Sequence, residues 1–263
     1  MKRLYVLISN DDGISAQGLF ALVNEIKQVA DVFVVAPDSQ KSAVSHAITV
    51  NNLLRAEPFE RDGELFGYAV NGTPVDCVKL AVRNLLGKKP DVVISGINHG
   101  TNTSLNAIYS GTVAAATEAT LLGIPAFAIS LGTYKNNPDY SFAAKFAKEF
   151  LPVFIEHKIP TRTFLNINVP AVKEEEIKGV KITKLNNSTW EDIYEERKDP
   201  QKKSYYWLTG KYIMGYKDNS YDDYALQNNF ISITPLHCDL TNHEFYSEIL
   251  NWKSDCFNKI NKN

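Results

Sequence analysis

Two carboxylates stand side by side at Asp11 and Asp12, directly after the apolar run Leu4-Tyr5-Val6-Leu7-Ile8 and inside Ser9-Asn10-Asp11-Asp12-Gly13. Adjacent like charges repel, and at a half-buried strand end each is costly to hold without a neutralising cation. A hard divalent ion such as Mg²⁺ or Mn²⁺ meets that need, because it takes oxygen ligands and keeps positions open for water and phosphate. The bland alternative is that one of the two acids caps a helix beginning near Ser15.

Two more segments offer matching chemistry. Ala36-Pro37-Asp38-Ser39-Gln40-Lys41-Ser42 is a polar loop able to add hydroxyl ligands or phosphate donors. Gly96-Ile97-Asn98-His99-Gly100-Thr101-Asn102 brings the neutral amide oxygen of Asn98, with Gly96 and Gly100 permitting close backbone approach to a ligand. Ser110-Gly111-Thr112 then opens a helix whose free N–H groups and dipole suit a phosphate.

The elements needed to position these residues are written in the hydrophobic pattern. Leu4–Ile8 and Asp31–Ala36 are continuous apolar runs, as expected of strands buried on both faces. Between them Leu19, Leu22, Val23, Ile26 and Val29 recur at helical spacing, giving a βαβ unit with a right-handed crossover. Thr73-Pro74-Val75-Asp76 reads as a helix start: a cap, a proline suited to the first position, and an acid facing the dipole. Its apolar stripe is Val75, Val78, Val82, Leu85 and Leu86, and Gly87 ends it.

Strands are predicted at Asp91–Ser95, Ala126–Leu131 and Phe164–Val169. A helix carrying Phe142, Phe146, Phe150 and Phe154 is expected to be interrupted by Pro152. The alternation predicts an α/β fold with a Rossmann-like, doubly wound, mostly parallel sheet, whose ligands bind beyond the carboxyl ends of the strands.

Residues 186–224 break the pattern, being rich in Asn, Asp, Lys, Tyr and Trp. A compact core seldom tolerates a structureless loop of that length, so an extended hairpin arm is expected, used between subunits. Phe230–Thr234 returns to the sheet, and Phe245, Ile249, Trp252 and Cys256 mark a C-terminal amphipathic helix. The expected organisation is one domain over 1–263, with a core at 1–185, the arm at 186–224 and the returning strand and helix at 225–263.

Composition bounds the function. With 263 residues, 44% hydrophobic and 22% charged, the chain is an ordinary globular one, and a formal net charge of -2 argues against gripping a nucleic-acid duplex. Cys77, Cys238 and Cys256 are scattered, which reads as reduced thiols in a reducing compartment. No run approaches the ~20 apolar residues of a membrane span, and the apolar start is too short for a signal peptide. A cytoplasmic protein with no membrane partner is expected.

Taken together, the motifs resemble those of the SurE-type survival-protein nucleotidases, metal-dependent phosphatases of nucleoside monophosphates. The resemblance covers nearly the whole chain. It is carried by Ser9–Gly13, Ala36-Pro37 with Ser42, Asn71–Val78, Ser95–Asn102, Tyr109–Val113 with Glu118, and Ser232–Leu236. It implies one divalent cation per subunit, Mg²⁺ or Mn²⁺, on Asp11, Asp12, Ser42 and Asn98. It also implies a homodimer or homotetramer that exchanges C-terminal arms.

Asp11, Asp12 and Asn98 would be catalytic, Ser110, Gly111 and Thr112 would bind phosphate, and Asn10 would orient the carboxylates or contact phosphate itself. Two departures stand out: Ala43-Val44 follows the metal-binding serine, where the family often has glycine, and Asn229 replaces a usual glycine. Asn tolerates the left-handed conformation that a glycine would supply.

The histidines invite less. His46 follows the Ser42 loop, His99 reads as a loop-surface residue, and Cys77 reads as core. Glu118 fits either a solvated helix face or a buried partner to the loops.

Three rival classes bear on the same residues. An aspartyl-phosphate phosphatase of the haloacid-dehalogenase type needs its second acid two residues after the first, where this chain has Gly13. A nucleotide-binding scaffold would normally show a GxGxxG or Walker A pattern, and neither is present. A glycosyltransferase also holds a metal on paired acids, and release of phosphate from a simple aryl phosphate separates it.

Overall fold

In a computed structural model the described residues are 3–252, and they form an α/β fold around a nine-stranded sheet. The strands are β1 (Leu4–Ser9), β2 (Ala30–Pro37), β3 (Ala56–Arg61), β4 (Glu64–Val70), β5 (Val92–His99), β6 (Ala126–Gly132), β7 (Thr163–Pro170), β8 (Val180–Ile182) and β11 (Ile231–His237). Their order is β3-β4-β2-β1-β5-β6-β7-β11-β8. Pairing from β4 through β7 is parallel, whereas β3 runs antiparallel to β4 and β11 antiparallel to β7.

The chain reverses direction across the sheet at β1. β2 lies on one side of it and β5 on the other, so the carboxyl ends of β1 and β5 flank the crevice where such sheets bind ligands.

The central strands are apolar on both faces because both are covered. Val6 and Ile8 of β1 point to the side packed by α1 (Gln17–Ile26) and α4 (Ser141–Glu156), through Leu19, Leu22, Ala147 and Leu151. Leu7, between them, points to the side of α2 (Pro74–Leu80) and α3 (Gly111–Leu121), against Val78, Ala115 and Ala119. Alanines on α3 let that helix lie close to the sheet. Its first turn thereby reaches the tip of β1.

The α2 start is a capping box. Thr73 accepts from the Asp76 N–H at 3.1 Å, and Asp76 accepts from the Thr73 N–H at 2.9 Å.

Several sequence expectations shift. Val29 lies outside α1 and is exposed. α2 passes into a π turn, Ala81–Leu85, and stops before Gly87. β5 runs on to His99, including Gly96 and Asn98, with an irregularity between Ser95 and Asn98 and a cis Gly96-Ile97 peptide. Pro152 does not interrupt α4, which runs unbroken from Ser141 to Glu156. Phe154 is buried beneath it, and packing against the sheet outweighs the one backbone hydrogen bond that a proline removes.

Segment 44–72, unassigned from sequence, contributes β3 and β4. The arm is a hairpin, β9 (Thr189–Lys198) and β10 (Ser204–Ile213), and the segment then closes on α5 (Asp222–Gln227). The C-terminal helix is α6 (His243–Ile249), where Phe245 and Ile249 are exposed. Cys256 lies outside the described residues. No described helix is long and apolar enough to cross a membrane.

Candidate active site

Neither Asp11 nor Asp12 caps a helix. The N-cap of α1 is Ala16, with no side-chain hydrogen bond, and the chain first turns through Gly13. Both acids instead line a cavity of about 730 Å³, together with Ser42, Asn98, His99 and Ser110.

Each carboxylate has one short hydrogen bond from a neighbour, and Asp11 is also helped by its own N–H and that of Thr112. Asp11 Oδ1 accepts from the Thr112 hydroxyl, and Asp12 Oδ2 accepts from the His99 N–H at 2.8 Å. Gln40 Nε2 stands 3.5 Å from Asp12 Oδ1 and donates to Ser42 Oγ at 2.9 Å. No described cation pairs with either acid.

Burial pushes the Asp11 carboxyl up to about 7, and the neighbouring Asp12 charge adds to the rise. Burial also raises Asp12, partly offset by the His99 N–H. A buried acid beside a part-buried one at a strand tip, with so few donors, carries more negative charge than the surroundings balance.

The free donor set is all oxygen. Asn98 donates its Nδ2 to the Gly100 carbonyl at 2.9 Å, which leaves Oδ1 as its free polar atom. Two carboxylates, a hydroxyl and an amide oxygen suit a hard cation and would not suit a soft one. Among the described residues no group of three or more His, Cys, Asp and Glu forms a metal cluster, as expected of a set with only two acids.

Several residues of the predicted set do not line the cavity. Asn10 is fully buried and donates Nδ2 to the Gly13 carbonyl at 3.0 Å, so it shapes the turn and does not face the cavity. Thr112 is equally buried and spends its hydroxyl on Asp11. Gly111 makes room: a Cβ there would stand 2.8 Å from Asp11 Cβ, so α3 could not approach.

Of the predicted phosphate group only Ser110 lines the cavity, while its Oγ caps α3 by accepting from the Val113 N–H at 3.1 Å. Gly96 and Gly100 accommodate protein neighbours. A Cβ on Gly96 would meet the Ile129 carbonyl at 2.2 Å, and one on Gly100 the Tyr134 ring at 2.6 Å.

Other groups were not legible as site residues. Asn166 and Asn168 of β7 donate to the Asn102 carbonyl at 2.7 and 3.2 Å. Asn168 also accepts from the Asn102 N–H, pinning the loop after β5. Their signal was two amides at alternate positions in an otherwise apolar strand, hence on one face.

Glu118 is the buried partner, not a solvated face. It receives His46 at 2.9 Å and Lys79 at 2.8 Å, anchoring the loop after Ser42. Burial opposes its charge, but those two partners hold its carboxyl below the usual range. His99 turns its ring to the Lys135 carbonyl, and Cys77 is a buried free thiol. Ala43 adopts a left-handed φ of 55° and Asn229 one of 64°, the conformation that glycine would supply.

Fold and site define a Rossmann-like α/β protein with an all-oxygen donor set at the carboxyl edge of its sheet. The model of the family "Survival protein SurE" matches residues 6–192. A protein of Chlorobaculum tepidum named 5'-nucleotidase SurE is 42% identical over 95% of this chain and 95% of its own. One of the same name from Flavobacterium psychrophilum is 43% identical over 96% and 98%. The crystal structure of the SurE protein from Aquifex aeolicus superposes with a TM-score of 0.81 at 37% identity, covering 93% of this chain and 98% of its own. The chain belongs to the SurE family.

Proposed function

We propose that this chain is a metal-dependent 5'-nucleotidase, hydrolysing nucleoside monophosphates to nucleoside and phosphate. One observation carries the reading: the Asp11-Asp12 pair, the first buried and the second half-buried, opens with few donors on a cavity shared with Ser42, Asn98 and Ser110. Relatives about 42% identical bear the name 5'-nucleotidase, which supports it.

Asp11, Asp12, Ser42 Oγ and Asn98 Oδ1 would hold one divalent cation, Mg²⁺ or Mn²⁺. When bound, such an ion balances the paired carboxylates and polarises a phosphoryl oxygen. Thr112 and the His99 N–H fix the two carboxylates before substrate arrives, and positioning is most of what phosphoryl transfer asks of a protein. The N-terminus of α3, beginning at Ser110, faces the transferred group with a positive dipole end. Asp11 or Asp12, whichever is less committed to the cation, would accept the proton from the attacking water.

The whole chain acts as a single domain, with 186–224 as an arm joining copies into a homodimer or homotetramer. On the side of the hairpin opposite Trp190 and Asp192, Ile193, Tyr205 and Trp207 are exposed, a surface suited to a second copy. The free Cys77 and Cys238 fit the reducing cytoplasm as the working compartment.

Phosphate release from AMP and GMP, followed with Mn²⁺ and again after chelation, tests the assignment. Activity that survives chelation would sink it, as would an Asp12→Ala protein within about tenfold of the parent, a loss below ~1.4 kcal/mol.

A further inference from the structure

The cavity does not end at the sheet. Beyond Asp12 and Ser110 it passes Asn106 and Tyr109 and reaches the hairpin, where Trp190, Asp192 and Gly210 line it. At about 730 Å³ it lies within the range of small-molecule sites and is far larger than a phosphate requires. The hairpin end therefore has room for the part of a substrate remote from the reaction.

Two residues set the chemistry there. The Trp190 ring sits edge-on to Tyr212, 5.5 Å between centroids at 65°, and the Tyr212 hydroxyl donates to Asp223 at 2.6 Å. The indole is thus oriented from the root of the arm, yet 45% exposed, a flat surface on which a planar base can stack.

Asp192 lies two residues on, on the same side of β9, and its cross-strand partner is Gly210, which has no side chain to cover it. Among the described residues Asp192 has no hydrogen-bond or ion-pair partner, although it stands between Trp190 and Tyr194.

An ionised carboxylate only accepts hydrogen bonds. Guanine offers N1–H and N2–H side by side, matching two carboxylate oxygens. Hypoxanthine offers N1–H alone. Adenine sets an N1 lone pair beside its N6–H group, and that lone pair repels the carboxylate. We infer that the hairpin supplies the nucleobase subsite, with Trp190 as its platform, and that Asp192 makes it favour guanine nucleotides over adenine nucleotides. The inference rests on the nucleotidase reading and concerns a different end of the same cavity. Because this end is open to solvent, the charge-assisted pair discriminates by about tenfold, not by the larger factors of a sealed pocket.

The test compares kcat/KM for GMP, IMP, AMP and p-nitrophenyl phosphate in the parent, Asp192→Ala, Asp192→Asn and Trp190→Ala proteins. The parent should rank GMP above IMP above AMP. Asp192→Ala should lower GMP turnover about tenfold, mainly through KM, and leave AMP and the aryl phosphate within about twofold. Asp192→Asn, which can donate as well as accept, should narrow the gap. Trp190→Ala should raise KM for all three nucleotides and spare the aryl phosphate.

A GMP:AMP ratio unchanged by Asp192→Ala overturns the base assignment while leaving the nucleotidase reading intact. A parent protein that cleaves the aryl phosphate and no nucleotide overturns both.

Discussion

Asp11-Asp12 and Asp222-Asp223 are both adjacent acids folded into the protein, but their surroundings are opposite. Asp222 accepts three backbone N–H groups, from Ser104, Asn186 and Asp223, at 2.8 to 3.0 Å. Asp223 accepts from the Asn186 amide and the Tyr212 hydroxyl at 2.6 Å, from the Tyr224 N–H at 2.7 Å, and from Ser188. Burial works against Asp223, yet the Ser188, Tyr212 and Asn186 donors hold its carboxyl below the usual range. Asp11 and Asp12 have fewer donors between them, and burial raises both, as it also raises Asp222. A pair saturated by the protein is architecture, fastening the arm to the turn at Ser104. A pair left short of donors is an opening for something from outside.

The strongest way to break this contrast is to remove one acid from each pair. Asp12→Ala should lower kcat/KM by about a thousandfold or more, roughly 4 kcal/mol, with thermal melting of the metal-free protein unchanged or raised. Asp223→Ala should do the reverse. It strands the Asn186, Ser188 and Tyr212 donors, and urea unfolding should show a loss of about 3 kcal/mol.

Metal comes next. Mn²⁺ at a hundred times its dissociation constant should stabilise the parent by about 2.7 kcal/mol in a melting assay. Asp12→Ala and Asp11→Asn proteins should gain little.

The pH dependence of the metal-free protein sharpens the same point. Asp11 sits at about 7 in the fold against 3.8 ordinarily, so its protonated form is the one the fold favours. That contribution is complete below 3.8 and lost as pH rises through about 7, so melting temperature should fall across the window. Asp11→Asn should flatten the slope without abolishing it. Asp222, raised mainly by burial to about 6, slopes the same way.

The smallest effect is expected at Ala43. Its φ of 55° costs an alanine about 1 kcal/mol relative to glycine, so Ala43→Gly should raise the unfolding free energy by roughly that amount.

Much of this was legible because local and global signals agree. The apolar runs of β1 and β2 and the caps at Thr73 and Ser110 appear where their residues said, since burial on both faces and helix-end donors leave a plain sequence trace. The strand-tip acids were legible for the complementary reason, being costly where they stand.

What escaped depends on long-range contact. β3 and β4 alternate weakly, and only the pairing of β4 with β2 joins them to the sheet, with β3 at its edge. Pro152 signalled a break that packing overrode. Thr112 looked like a phosphate donor, and its tie to Asp11 spans 101 positions of chain that no local pattern reports.

The two borders of the large sheet limit how copies can join. On one side β3 carries Pro58 and the charges of Glu57, Glu60 and Arg61; on the other β8 is only three residues long, with Lys181 at its centre. Strands so blunted make poor templates for a neighbour's backbone, which guards against runaway fibre-like stacking. Any self-association is thereby steered to side-chain surfaces, where shape and not backbone pairing would decide when growth stops.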